Sequence, residues 1–391
     1  MCVKIITAIL LFCATASAEV NYEQMLKSTL NFYDFLRSPN GDYLDFYNGH
    51  KPENINKKIS SASTGAGLVS LSIAHSLGYD KNAAEKALKT LRFLNGKEKL
   101  KPLRNVNGLF LHFYNYDTGT IKKKEFSTID SALLMSGAIF CKNVFKDDDI
   151  SSEVDELWKS IKWQALQVDD MHYHLAQDAD GSSLGKTRMF NEYILLADYC
   201  STAAKTRPLE INDKWLRCRQ YGIPVLSDLQ NRMLPLFTFQ FPLYLSPVRT
   251  LDKTFLTEAL KAAEADKNWW EKEIKVSGIW GSSAGACRHG YSVDATGKNH
   301  FRIIHAPSVA AYAPFNDAYR EDFEKILTDY PDIFQTNGTW KIPWRHSLKD
   351  PDWPAKTIQS IDASPLLYGL AALHPKLGFK FFQVNSQFKP K

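Results

Sequence analysis

The sequence predicts a mostly helical protein whose connecting loops contain short strands. Apolar residues recur at helical spacing in one segment after another, and most of these segments end at glycine, asparagine or proline signals. The connections between them are long and rich in aromatic residues. No linker rich in serine, glycine or proline divides the chain, so we predict a single domain over residues 19–391.

Each predicted helix has its own start or stop signal. The first ends before the SPNG turn at 38–41, the second ends at Gly78, and the third follows Asp80 and ends at Asn95. Residues 108–116 form a short aromatic run that predicts a strand or an extended loop. The predicted helices cover residues 22–36, 64–77, 83–94, 127–145, 153–163, 191–203, 254–272, 317–328 and 364–373.

Four long connections separate the later helices, at 167–190, 221–250, 273–306 and 331–362. They hold charged residues and many of the aromatic ones, including several tryptophans. A helical scaffold with such loops is how a binding cleft is usually built. Aromatic rings also stack on sugar faces, although tryptophans are common in protein cores as well.

The first 18 residues resemble a cleavable signal peptide. Lys4 precedes an apolar run at 5–12, and Ala16-Ser17-Ala18 forms a cleavage site of the A-x-A type. A buried first helix is the alternative. No later segment has the roughly 20 apolar residues of a membrane span, so we expect a secreted or periplasmic protein without a membrane anchor.

Composition argues against several functional classes. The net charge of +5 is small for 391 residues, and acids and bases are interspersed, so no basic field predicts nucleic-acid binding. Four cysteines follow the signal segment, and no C-x-x-C pair among them suggests zinc. The sequence does not decide whether or how they pair in disulfides. We expect the protein to be a monomer. These cysteines are Cys141, Cys200, Cys218 and Cys287.

Two carboxylates stand at the start of apolar helical segments. Asp130 lies in EFSTIDSALL at 125–134, where Ser127 and Asp130 also match a capping box, so helix capping is the alternative role. Glu192 lies between Phe190 and Tyr193. Loss of solvation would raise its pKa and make it a candidate general acid, whereas stabilisation of the helix dipole is the alternative.

Other catalytic chemistries have weaker support. The sequence has no G-x-S-x-G, H-E-x-x-H, P-loop or dinucleotide-binding motif. His172 and His174 would share one face of a strand, but no third metal ligand is evident nearby. The DADGS run at 178–182 lacks the closing glutamate of a calcium loop. We therefore expect neither a metal ion nor a cofactor. Asn337-Gly338-Thr339 is a glycosylation acceptor if the host is eukaryotic.

Several blocks resemble the glucoamylase-like glycoside hydrolase family, which includes relatives of bacterial β-1,2-glucanases. The most specific is GLFLHFY at 108–114, followed by DTG at 117–119 and EFSTIDSALL at 125–134. Weaker matches follow in the same order over most of the chain. They are FNE at 190–192, LFTFQF at 236–241, Arg249, WG at 280–281 and APSVAA at 306–311.

The resemblance implies an (α/α)6 barrel that hydrolyses an oligo- or polysaccharide, with β-1,2-glucan the best candidate. Glycoside hydrolysis needs two carboxylates beside the scissile bond. By correspondence of motifs, Glu192 would be the proton donor and Asp130 the second essential carboxylate. The resemblance also implies substrate-binding roles for a further set of residues, namely Glu125, His112, Gln240, Arg249 and Trp280.

The chain departs from the family motif at three polar positions. Phe239 replaces a histidine, Pro247 replaces an aspartate, and Ala286 stands where an acidic residue is expected. These changes favour an altered substrate, a shifted subsite or a non-catalytic carbohydrate-binding protein on the same barrel. A polysaccharide lyase would need a tyrosine or histidine base near a cationic clamp, and nothing specific marks one.

Overall fold

The computed structural model describes residues 20–52 and 56–389. The predicted signal peptide, residues 1–18, lies outside these residues. Within them, no helix is both long and apolar enough to cross a membrane. The described part contains α1 Tyr22–Phe35, α2 Ser61–Leu77, α3 Ala83–Leu94, α4 Thr128–Phe145, α5 Asp148–Lys159, α6 Ile194–Ala204, α7 Phe237–Leu245, α8 Lys253–Trp269, α9 Ala306–Ala310, α10 Asp317–Asp329, α11 Ser360–Leu373 and α12 Gly378–Asn385.

Short antiparallel strands occupy the connections between these helices. Most pair two by two, and β5, β6 and β8 form a three-stranded sheet. The strands are β1 Phe46–Asn48, β2 Lys58–Ser60, β3 Phe113–Asn115, β4 Phe126–Ser127, β5 Gln167–Asp169, β6 His172–His174, β7 Ala176–Gln177, β8 Lys186–Arg188, β9 Arg217–Gln220, β10 Ile223–Leu226, β11 Ala284–Cys287, β12 Gly290–Val293, β13 Ile303–His305, β14 Phe334–Thr336, β15 Lys341–Pro343, β16 Arg345–Ser347 and β17 Thr357–Gln359.

The predicted mostly helical class with strands in the loops is confirmed, and three helices were missed. α7 lies in the predicted connection 221–250; it is almost entirely apolar and contains Pro242, so it has no amphipathic periodicity. α9 has five residues, too few for a periodic pattern. α12 begins at Gly378, and a glycine reads as a stop signal in the sequence. α5 begins earlier than predicted because Asp147 caps it, accepting the N–H of Ile150 at 2.9 Å.

Several helices lie in the interior of the molecule, and α2, α4 and α11 are the longest of them. α2, α4 and α11 are buried along most of their length, so the water-facing polar stripe of an ordinary amphipathic helix is absent. β2, β4 and β17 run directly into these helices. Backbone hydrogen bonds link their first residues: Ser61 N–H donates to His112, and Ser360 N–H donates to Asp45. The N-terminal ends of the inner helices are therefore held close to the strand-forming loops.

Glycines allow α2 and α4 to approach until their backbones touch. A methyl group at Gly65 would lie 2.2 Å from the carbonyl oxygen of Leu133, and one at Gly137 would lie 2.2 Å from that of Gly65. Gly369 lets α11 approach α9 in the same way, because a methyl group at this position would lie 2.1 Å from the carbonyl oxygen of Ala310. No side chain larger than hydrogen fits at these crossings.

The four cysteines that follow the predicted signal segment are all buried and form no disulfide in the structure. Cys141 packs between α2 and α4, where its thiol contacts Ser72 and the Leu68 carbonyl. Burial raises its pKa to about 12. Cys141 is therefore a packed core residue.

We expect Gly65→Ala to destabilise the protein by about 1–3 kcal/mol, because the added methyl group would force α2 away from α4. Helix propensity alone predicts the opposite sign, a gain of about 1 kcal/mol. Urea denaturation of the variant measures this. Glu85→Ala, on the exposed side of α3, is the control and should stay within about 0.5 kcal/mol of wild type. A stable Gly65→Ala protein would show that the backbones do not need this approach.

Candidate active site

Acidic side chains gather where the inner helices begin. Asp130 lies in the first turn of α4, Asp362 in the first turn of α11, and Glu192 two residues before α6. Asp45 accompanies the first residue of α11 through its backbone. The charge of Asp130 acts on both Glu192 and Asp45, and the charge of Asp45 acts on Asp362. These four carboxylates are therefore linked by the effects of their charges on one another, and we call them the acidic row.

Glu192 is half-buried and has the pKa that a general acid needs. The pKa of Glu192 rises from 4.5 to about 7, mainly because of burial, and the negative charges of Asp228 and Asp130 contribute to the rise. Phe190 is fully buried beneath it and packs on Phe239, with ring centroids 4.8 Å apart. The raised pKa expected from the aromatic surroundings is confirmed, and desolvation is its main cause.

Asp130 takes part in the cap of its helix and also directs one oxygen towards His112. The Ser127 hydroxyl accepts the Asp130 N–H at 3.2 Å and donates to its Oδ2, so the capping contact expected from the sequence is present. Its other oxygen, Oδ1, lies 3.7 Å from Nε2 of His112. One carboxylate oxygen is therefore used by the helix, while the second faces the residues of the loop.

His112 connects Asp130 to Glu125. Its Nδ1 lies 3.3 Å from Oε1 of Glu125, and its ring stacks on Phe113 with centroids 3.7 Å apart. His112 and Glu125 keep roughly a third of their side-chain surface exposed. Two of the five predicted substrate-binding residues are thus brought together next to Asp130, with surface left for a ligand.

Asp362 was not predicted from the sequence. The pKa of Asp362 rises from 3.8 to about 7, mainly because of burial; the Tyr291 hydroxyl and Arg345 oppose the rise, and the Asp45 charge contributes to it. Its Oδ2 has no hydrogen-bond partner among the described residues. The available signal was an acid in the first turn of an apolar helix, SIDASPLL at 360–367, the same signal that marked Asp130.

A cavity of about 360 Å³ opens beside Glu192. The loop after β10 supplies Asp228 and Arg232, and the loop after β12 supplies Lys298. Its walls are mixed: the charged groups stand among apolar side chains such as Phe237. A concave site with apolar walls and a few polar groups suits a sugar, whose ring has both apolar faces and hydroxyl edges.

Three predicted substrate-binding residues are buried structural residues, so these predictions are corrected. Arg249 is 2% exposed and binds Asp198 through two of its nitrogens, at 2.7 and 3.1 Å. Trp280 has no exposed surface and donates its indole N–H to Asp322 at 2.8 Å. Gln240 is also fully buried and donates to the Ser308 carbonyl at 2.8 Å. Sequence motifs cannot tell a polar residue buried in the core from one that lines the cleft.

The tryptophans in or near the long connections lie mostly in the core. Trp353 retains partial exposure, and the others are buried, namely Trp269, Trp270, Trp280, Trp340 and Trp344. Two of the altered family positions, Phe239 and Ala286, are buried as well. Stacking on sugar by these tryptophans is therefore not supported.

The segment 172–182 forms a polar hairpin. Tyr173 is buried, and the flanking His172 and His174 point to the other face of β6, as expected. His172 binds Asp169 at 2.8 Å, and His174 contacts the Ser183 hydroxyl at 2.8 Å. Among the residues that the structure describes, no three His, Cys, Asp or Glu side chains form a metal-type cluster.

Comparison with known proteins identifies relatives by structure alone. No protein-family model matches the chain, and no curated protein matches it in sequence. An endo-β-1,2-glucanase from Chitinophaga pinensis, in complex with sophorotriose and glucose, superposes with a TM-score of 0.77 at 16% identity, over 95% of this chain and 98% of the other. The chain shares the fold of this glucanase.

Two further structures show how widely the fold is used. A provisionally named glucoamylase from Bacteroides caccae superposes with a TM-score of 0.77 at 16% identity, covering 94% of this chain and 97% of the other. A D-mannose isomerase superposes with a TM-score of 0.57 at 10% identity, covering 92% and 99%. The resemblance to the glucoamylase-like family is confirmed for the fold, and the reaction must be argued from the site.

The raised pKa values of Glu192 and Asp362 predict that both acids weaken the fold at alkaline pH. The folded state binds more protons than the unfolded state between about pH 4 and 7, so stability falls as pH rises through this window. Glu192→Gln should therefore stabilise the protein by about 1 kcal/mol or more at pH 8 and by little at pH 4. Denaturation at both pH values measures this. A pH-independent difference would contradict the assigned pKa.

Proposed function

We propose that this protein is a glycoside hydrolase that cleaves a glucan, with β-1,2-glucan the first candidate. The observation that carries the proposal is Glu192, a carboxyl group with a pKa of about 7 beside a sugar-sized cavity and a row of further carboxylates. A carboxylic acid that stays protonated near neutral pH can donate to a glycosidic oxygen as the bond breaks. The likeness to a β-1,2-glucanase fold supports the choice of substrate.

Glu192 is the proposed proton donor, and Asp130 is the proposed second carboxylate. The free oxygen of Asp130 is near enough for its charge to act on Glu192, and an anion there would stabilise the cationic sugar of the transition state. Asp362 is the stronger candidate for the base that activates water. Its buried, unpartnered oxygen and pKa of about 7 give it greater basicity than an ordinary aspartate.

Glu125 and His112 are proposed to bind sugar hydroxyls. Both groups are partly exposed and lie next to Asp130, and their mutual contact leaves each with hydrogen-bonding capacity for a ligand. The proposal needs no metal ion or cofactor, because proton donation, charge stabilisation and activation of water are all assigned to side chains.

A non-catalytic carbohydrate-binding protein is the alternative. Its main support was the loss of polar family residues at Phe239 and Ala286. Both side chains are buried in this protein, so these replacements remove no group from the walls of the cavity. Retention of Glu192 and Asp130 with an electrostatic environment suited to acid catalysis favours the enzyme.

The same proposal includes the finer features implied by the family resemblance. The inner helices α2, α4 and α11 would belong to the inner ring of a single-domain (α/α)6 barrel, with the acidic row at one mouth. The protein would be exported by its first 18 residues and act as a monomer on an oligo- or polysaccharide outside the cytoplasm, without nucleic acid or membrane partners.

We expect Glu192→Gln to lower turnover by at least about 100-fold, because the amide keeps the shape of the acid but has no proton to transfer. The assay is product analysis on a panel of purified glucans, run with a strong chelator present to test independence from metals. Binding of the same glucan, measured by calorimetry, should be preserved.

Asp362→Asn and Asp130→Asn complete this series. A catalytic base or essential carboxylate should also lose about 100-fold, whereas an Asp130 that only caps α4 should cost about 1 kcal/mol of stability at unchanged turnover. Normal turnover by Glu192→Gln would refute the proton-donor assignment. Wild-type protein that binds a glucan without cleaving it would favour the non-catalytic alternative.

A further inference from the structure

Asp228 lines the same cavity as Glu192. It lies in the loop between β10 and α7, and its charge, like that of Asp130 on α4, acts on the Glu192 carboxyl. Lys298 lies at another part of the same cavity and makes no ion pair among the described residues. Asp228 is therefore a charged group that shares one cavity with the proposed acid, although its motif is not part of the family resemblance.

Arg232 holds Asp228 in place. The guanidinium of Arg232 donates to Oδ2 of Asp228, and about a sixth of the Asp228 side chain stays exposed. The Ser227 hydroxyl accepts the Leu229 N–H at 3.3 Å and donates to the Arg232 carbonyl, which closes the loop on itself. Nε of Arg232 is buried without a partner in the described part of the chain. The loop thus presents a fixed anion rather than a mobile surface carboxylate.

We propose that Asp228 is a positioning residue of the hydrolytic reaction: held by Arg232, its carboxylate keeps the proton on Glu192 until the glycosidic oxygen accepts it. This inference rests on the proposed function of Glu192. Two anions close together cannot both be stable in a poorly solvated site, so one of them retains a proton. Asp228 is ion-paired with Arg232, whereas Glu192 has no cationic partner among the residues that the structure describes, so Glu192 is the acid that keeps its proton.

Two substitutions should move the reaction in opposite directions. Asp228→Asn removes the anion and should shift the alkaline limb of the kcat/KM profile to lower pH, by roughly half to one unit. Arg232→Gln removes the counter-charge of Asp228 and should shift the same limb to higher pH by a similar amount. A purely structural role would lower the rate without producing shifts of opposite sign.

The control is Asp213→Asn, which removes one negative charge from an exposed position and should leave the profile unchanged. A ¹³C NMR titration of the Glu192 carboxyl in each variant gives a readout that needs no turnover. Unmoved titrations in Asp228→Asn and Arg232→Gln would overturn the inference. Should these variants behave as expected while Glu192→Gln keeps its turnover, the electrostatic coupling stands and the proposed function fails.

Independently, the tip of the β14–β15 hairpin has the geometry of an N-glycosylation site. Asn337-Gly338-Thr339 is the single N-x-S/T sequence in the chain. Oδ1 of Asn337 accepts the N–H of Thr339 at 3.0 Å and its hydroxyl at 2.8 Å. Gly338 takes the left-handed backbone conformation of the turn, and the tip is exposed. These bonds use the carbonyl side of the amide and leave Nδ2 directed to other partners.

We propose that Asn337 accepts an N-linked glycan when the chain passes through a eukaryotic secretory pathway. Nδ2 would attack C1 of a lipid diphosphate-linked oligosaccharide, forming the N–C1 bond as the C1–O bond breaks; the lipid diphosphate leaves and the amide nitrogen loses one proton. The hairpin packs on α1 through Ser28, which contacts Lys341. The cavity beside Glu192 is lined by other segments, so a glycan at the hairpin would leave it open.

The test translates the full chain, behind a standard secretory signal, in the presence of endoplasmic-reticulum microsomes. Protease-protected molecules should show a mass increase that an N-glycan amidase reverses. Thr339→Ser, which keeps the acceptor sequence, should be modified, whereas Thr339→Ala and Asn337→Gln should not. Protected wild-type chains without the increase would overturn this proposal.

Discussion

The backbone contact between α2 and α4 sets the geometry of the candidate site. Because Gly65 and Gly137 lack side chains, the two helices touch where any larger residue would hold them apart. Each helix starts directly at the end of a strand, β2 for α2 and β4 for α4. Close helices therefore bring their first turns, and the loops bonded to them, within reach of one another.

At these first turns, the environment that raises the pKa of the acids also lowers the stability of the fold. The positive end of a helix stabilises a nearby carboxylate by about 0.3–1 kcal/mol, yet the pKa values of Glu192 and Asp362 still rise to about 7. Burial and mutual repulsion therefore outweigh the helix ends. Elsewhere the protein neutralises a buried acid with a buried arginine, as Arg249 does for Asp198. An acid left without such a partner costs stability, which a catalytic role would explain.

The replacement of a family histidine by Phe239 acts on this balance. Phe239 packs on Phe190, which comes just before the turn that carries Glu192, and both rings are fully buried, so they contribute to its apolar surroundings. A departure from the family motif is thus tied to the protonation of the proposed acid. The fold cannot decide the reaction by itself, since a D-mannose isomerase shares it. The charges around Glu192 carry that argument.

The sequence by itself determined the helical class and the positions of most helices, and it marked Asp130 and Glu192 as candidate acids, because periodicity, capping signals and motif order are local properties of the chain. The aromatic residues beside Glu192 in the sequence, Phe190 and Tyr193, also indicated that its carboxyl group is desolvated. Asp362 carried the same local signal as Asp130, an acid in the first turn of an apolar helix, but only the structure links its charge to the other acids. No local signal marked Asp228, which lies in a loop. Nor could local signals show that Arg249 and Trp280 are buried. The tertiary structure decided these points, because burial and the distance between charges depend on which segments pack together.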